Sequence, residues 1–122
     1  MSFAVSDNVN RVLGLALDGV SLRQSVIADN IANVDTPDFR ASSVDFESSL
    51  RGALESGDVD RGRLSGIEAV STATDTPVGP NGNNVDLRKE TLAAVQTQYQ
   101  YQLLSRAVSD RHALLRSALG SM

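Results

Sequence analysis

The stretch NNVDLRKETLAAVQTQYQYQLLSRAVSDRHALLRSALG, residues 83–120, holds no proline, and its one glycine is the last residue. Positions 87, 91, 94, 98, 101, 105, 108, 112, 115 and 119 hold Leu, Thr, Ala, Gln, Tyr, Ser, Val, His, Leu and Leu, at alternating steps of four and three. Such steps mark the seam of a helix lying lengthwise against another. Leu92, Val95, Tyr99, Leu103, Ala107, Leu114 and Ala118 form a flanking line, with Leu104 beside it. The seam residues expected to pack are Tyr101, Leu104, Val108, Leu115 and Leu119. Asn84 or Asp86 is placed to cap the helix start and Gly120 its end. A helix of about 33 residues is about 50 Å long, whereas a compact domain of this chain length is about 35 Å across. The helix therefore projects from any globule the chain makes alone.

Working toward the N-terminus, a second such helix is legible. Positions 13, 17, 20, 24, 27, 31 and 34 repeat the four-three step with Leu13, Leu17, Val20, Gln24, Ile27, Ile31 and Val34. Val12, Leu15, Gly19, Leu22 and Val26 run beside them, an apolar face wider than one partner helix covers. Ser6 or Asp7 is the expected N-cap. Pro37 lacks an amide hydrogen and pushes its predecessor out of helical geometry, so the helix should end near residues 33–35.

Residues 35–84 are punctuated by Gly57, Gly62, Gly66, Gly79 and Gly82, with Pro77 and Pro80. This middle reads as irregular, with a brief helix around Phe46–Leu54 or a hairpin within Leu64–Val70 as the local options. The expected fold class is all-α: two long terminal helices pairing as an antiparallel, coiled-coil-like hairpin around an irregular middle segment. Within one structural domain, residues 1–34 and 85–122 are the helical assembly regions and residues 35–84 the middle.

The composition excludes much chemistry. The chain has 122 residues, a net charge of −4 and no cysteine, which removes disulfides, thiolate metal sites and cysteine catalysis. The tail from Leu87 is only mildly basic, so nucleic acid is not expected as a partner. No apolar run approaches a membrane span, and no direct lipid binding is expected. The N-terminal residues have neither the basic nor the apolar region of a cleaved signal. The lone His112 reads as a half-buried packing residue, and the scattered carboxylates form no paired site. Residues 79–84 lack the Lys and Ser/Thr of a phosphate loop and read as a turn. No catalytic residue, cofactor or metal is expected.

The segment SVIADNIANVDTPDFRA, residues 25–41, is the most informative. Asn30 and Asn33 lie three apart near a helix end, where their amides can bond either freed carbonyls or another backbone. Thr36, Pro37 and Phe39 then turn the chain and present an aromatic ring. Residues 28–40, ADNIANVDTPDFR, resemble the N-terminal signature of the bacterial flagellar axial proteins of rod and hook. The opening NNVDL at 83–87 and the ending LLRSALG at 114–120 are similar to the short proximal rod proteins in particular. Asp38 stands where that family usually has Gly, which leaves open whether the turn takes a positive φ. Phe39 replaces the commoner Tyr.

The resemblance implies a structural subunit. Its terminal helices would pack with copies of itself and other flagellar rod proteins into a tubular, torque-transmitting shaft that crosses the periplasm. Neighbours at the MS-ring and export-gate junction, and export by the flagellar type III apparatus without signal cleavage, come with it. The other reading of the residues is a soluble helical adaptor or export chaperone that grips an amphipathic partner helix. A small hydrolase would need a pocket hidden in residues 35–84.

Overall fold

The computed structural model describes residues 3–120. In chain order it has α1 (Phe3–Ala32), β1 (Ser42–Asp45), α2 (Glu47–Ser56), β2 (Val70–Ala73) and α3 (Leu87–Gly120). α1 and α3 pack side by side and run antiparallel. Near the start of α1, Arg111 donates to the Asn10 side chain at 2.7 Å. Farther along, Leu104 packs on Ala16, Val20 and Phe46, Arg23 reaches Gln100 at 3.0 Å, and Gln24 donates to Gln98 at 3.2 Å. The expected all-α hairpin of two long helices is the fold.

The ends of the helices follow from local chemistry. α1 stops at Ala32, because the next residues are drawn into the turn that Pro37 enforces. Its start differs from expectation. α1 already runs from Phe3, so Asp7 lies inside the helix rather than capping it, and the side chain of Ser6 lies outside the described residues. Asp86 caps α3, its Oδ1 accepting the Lys89 amide at 3.1 Å. α3 continues through Gly120, and the residues that would follow a cap there lie outside those described.

The middle segment is more ordered than its glycine content implied. The brief helix is present as α2. Asp45 opens it by accepting the Ser48 amide at 3.1 Å and hydroxyl at 2.7 Å; these two bonds hold the Asp45 carboxyl below its usual value. Gly57 closes α2 at φ 80°, freeing the Asp58 amide to bond the Ala53 carbonyl at 2.9 Å. No hairpin forms within Leu64–Val70. Instead β1 and β2 pair antiparallel across the whole segment, Ser42 opposite Ala73 and Asp45 opposite Val70. That pairing depends on a contact between distant residues, which local periodicity does not register.

This segment alters how α1 is used. Val12, Leu15 and Leu50 pack on Ala53, Val59, Leu64 and Ile67, and the Phe46 ring lies against Gly19 so closely that a Cβ there would overlap it. Much of the second apolar line of α1 is therefore covered from within the chain, not by a neighbouring subunit. α3 is different. The side chains it turns toward α1 include the small or polar Ala93, Thr97 and Gln100, with Leu104 a large apolar one among them. Thr97 is buried because its hydroxyl bonds the Ala93 carbonyl at 2.7 Å. The inward seam is thus rotated from the series beginning at Leu87, and bulky residues remain outside.

Candidate functional site

The turn after α1 is held by four asparagines. Asn30, 1% exposed, clamps the first residue of β1: its Nδ2 donates to the Ser42 carbonyl at 2.7 Å and its Oδ1 accepts the Ser42 amide at 3.2 Å. It acts as an extra strand residue on the free edge of β1. Asn33 donates to the Asp29 carbonyl at 2.8 Å and accepts the Thr36 hydroxyl at 3.0 Å. From the far side of the sequence, Asn83 donates to the carbonyls of Asn33 and Thr36, both at 2.8 Å, and accepts the Val85 amide at 2.8 Å. Asn84 accepts the Ala41 amide at 2.6 Å, and its own amide N–H donates to the Phe39 carbonyl. Asn33 thus bonds a carbonyl at the helix end, whereas Asn30 bonds the backbone of another element, β1.

The rest of the motif turns around this latch. Asp38 takes φ 63°, so the position the family fills with Gly does adopt the left-handed conformation. Its amide bonds the Asn81 carbonyl at 3.0 Å. Gly82, at φ 80°, sits so close to Asp38 that no side chain fits. Thr36 and Pro37 are exposed and Phe39 is half-buried.

A second cluster, centred on Arg23, was not legible as a site. Its guanidinium donates to the Val44 carbonyl at 2.8 Å, to Gln100 at 3.0 Å and to Glu47 at 2.6 Å, and lies 5.1 Å from the centre of the Phe46 ring. One side chain thus ties α1, β1, α2 and α3 together. Burial pushes the Glu47 carboxyl up, but the hydrogen bond and charge of Arg23, with nearby amides, outweigh it and hold the group below its usual value. The one charge between Asp18 and Asp29 was the available signal. Asn83 and Asn84 were noted only as a helix opening.

The seam residues divide. Val20 and Ile27 are buried, and Leu13, Leu17, Ile31, Leu104 and Val108 half-buried. Tyr101, Leu115 and Leu119 are exposed. His112 is exposed as well, not half-buried, and borders an open hollow with Asn10, Arg111 and Leu115. On the outer side of α3, Leu92, Val95, Tyr99 and Leu103 are 60, 50, 64 and 69% exposed. Among the described residues, no cluster of metal-ligating side chains occurs, and no helix is long and apolar enough to cross a membrane.

A family model, "Flagella basal body rod protein", matches residues 11–40, most of α1 and the turn that follows it. The flagellar basal body rod protein FlgB of Borreliella burgdorferi is 40% identical, over 73% of this chain and 78% of that protein. The chain belongs to the FlgB family. FlgB of Bacillus subtilis is 34% identical over 85% of this chain and 87% of its own length, and FlgB of Escherichia coli 31% over 77% and 80%. As a FlgB family member the chain is a structural subunit of the flagellar basal body rod and assembles with other rod components.

Proposed function

We propose that this chain forms part of the proximal rod, its two terminal helices packing with those of neighbouring subunits into a tubular shaft that transmits torque across the periplasm. It performs no catalysis. Proteins of the MS-ring and export-gate junction are its neighbours at the base, and it reaches its place through the flagellar type III apparatus without signal cleavage. The observation that carries the reading is the bare outer side of α3, where Leu92, Val95, Tyr99 and Leu103 leave the hairpin with an apolar stripe its own fold does not cover. A monomeric adaptor has no need of such a stripe on the side away from its own groove.

The test is Leu92→Glu combined with Tyr99→Glu. Both side chains are exposed, so the hairpin should keep its helix content and melting point, while rods fail to form and cells stop swimming. Normal motility with intact rods would overturn the reading. Leu104 and Val108 are unsuitable for this purpose. Leu104 packs on Ala16, Val20 and Phe46, so a charge there breaks the subunit before it reports on assembly.

A further inference from the structure

Each long helix has a line of positions that neither the other helix nor the middle segment covers. On α1 it is the line Ser21, Ser25, Ala28 and Ala32, all small and all exposed. On α3 it is Leu92, Val95, Tyr99 and Leu103. Both lines advance by steps of three or four and span the same number of residues, about 16 Å of helix. One is a row of projecting side chains and the other a shallow groove of matching length, as ridge-into-groove packing requires.

The charges fit the same pairing. From Thr91 to Ser105 α3 carries no charged side chain, and exposed Arg88 and Arg106 close the two ends of its stripe. Between Asp18 and Asp35 the charges are Arg23, which is turned inward onto Glu47, and Asp29, which is exposed beside Ala28. Exposed Asp18 and Asp35 close the two ends of the α1 line. An uncharged ridge bounded by two arginines thus faces a line of small side chains bounded by two aspartates at nearly the same separation, with a third, Asp29, inside that span.

We infer that the outer stripe of α3 seats in the outer groove of α1 on a second copy of this chain. The inference rests on the proposed assembly through the terminal helices and adds which faces meet. Copies arranged around a common axis point the same way. α3 of one copy therefore meets α1 of the next antiparallel, just as the two helices run within one subunit. In that orientation Ser25 falls opposite Tyr99, Ala32 opposite Leu92, Asp18 opposite Arg106, and Asp35 beside Arg88. Because the two faces are different and do not overlap, each subunit uses both at once. The contact is heterologous and extends instead of closing as a dimer.

The chain has no cysteine of its own, so the pairing can be read by cross-linking. The probe is a chain carrying Ser25→Cys and Tyr99→Cys, co-expressed with the wild-type chain so that rods form. Ser25 and Tyr99 adjoin Gln24 and Gln98, whose side chains bond within one subunit, so a bond inside a subunit leaves a monomer and only covalent dimers and higher species count. Mild oxidation of isolated basal bodies should give covalent dimers and higher species, and neither single substitution should. Ala32→Cys with Leu92→Cys reads the opposite end of the stripe independently. Assembled rods with no bond between copies from either pair refute the pairing while leaving assembly through the terminal helices in place. A bond from the Tyr99→Cys position only to a chain of different sequence also refutes it. Intact rods in the Leu92→Glu, Tyr99→Glu strain would instead remove the reading beneath it.

Discussion

Replacing Asn30 with leucine removes the clamp on β1 while keeping the branched shape of the side chain. The bonds lost are those at 2.7 and 3.2 Å to the carbonyl and amide of Ser42. A net loss of about 0.5–1.5 kcal/mol per bond is ordinary, and a partner left dry and unpaired costs about 1–3 kcal/mol. Ser42 is half-buried, so water relieves part of the second penalty, and leucine regains a few tenths of a kcal/mol in helix propensity. The expected destabilisation is about 2–3 kcal/mol. With a urea dependence of about 1–3 kcal/mol/M, the unfolding midpoint followed by far-ultraviolet circular dichroism should fall by about 0.7–3 M. A variant that unfolds at the wild-type midpoint yet cannot enter the rod would refute the latch. Asn30 would then act on a neighbouring subunit, the alternative its position on the helix end left open.

The remaining expectations concern packing and charge. Gly19→Ala drives a methyl into the Phe46 ring and should destabilise by about 1–3 kcal/mol, whereas Gly14→Ala, with open space around it, should stabilise by about 0.5–1 kcal/mol; thermal melts compare the two, and equal shifts would refute the Phe46 contact. Gly82→Ala should also destabilise by about 1–3 kcal/mol, because a left-handed backbone and the adjacent Asp38 both exclude a side chain. The Glu47 carboxyl is depressed in the folded chain. Its contribution to stability is complete above the unfolded value near 4.5 and is lost as pH falls below that through the folded value. Glu47→Gln should flatten this part of the wild-type stability profile, and an unchanged slope would show that the Arg23 pair does not set it.

What was legible beforehand was what repeats. The four-three steps in residues 13–34 and 87–119 depend on neighbours three and four apart, so both long helices and their antiparallel pairing followed from the chain alone. The rotation of the α3 seam did not, because periodicity says that a helix has a stripe and not which of two adjacent stripes faces inward. Thr97 settles that choice by satisfying its own hydroxyl on Ala93, freeing a small polar side to pack closely while Tyr99 and Leu103 stay outside. The pairing of β1 with β2 joins residues about 30 apart in sequence through a segment with no repeat of its own. The latch was half legible: Asn30 and Asn33 stood out by spacing, but their partners Ser42 and Asn83 are fixed only when the chain folds back. Arg23 was hidden by its place on an apolar face, where one charge reads as an interruption instead of a hub.

The way apolar surface is divided within the subunit bears on how it assembles. Full burial of a Leu, Val or aromatic side chain is worth about 1.5–3 kcal/mol. Leu92, Val95, Tyr99 and Leu103 are already shielded in part, so covering what remains yields about 4–7 kcal/mol for one stripe. Association of two free proteins costs about 4–15 kcal/mol in lost motional freedom, so a single stripe-to-groove contact is near balance or below it. Two subunits in dilute solution should not stay together on that contact. A subunit entering a growing shaft meets neighbours with both its groove and its stripe, which doubles the gain against one loss of freedom. A chain that keeps α1 busy with its own middle segment and leaves α3 half bare is therefore suited to stay single until a template presents both faces at once.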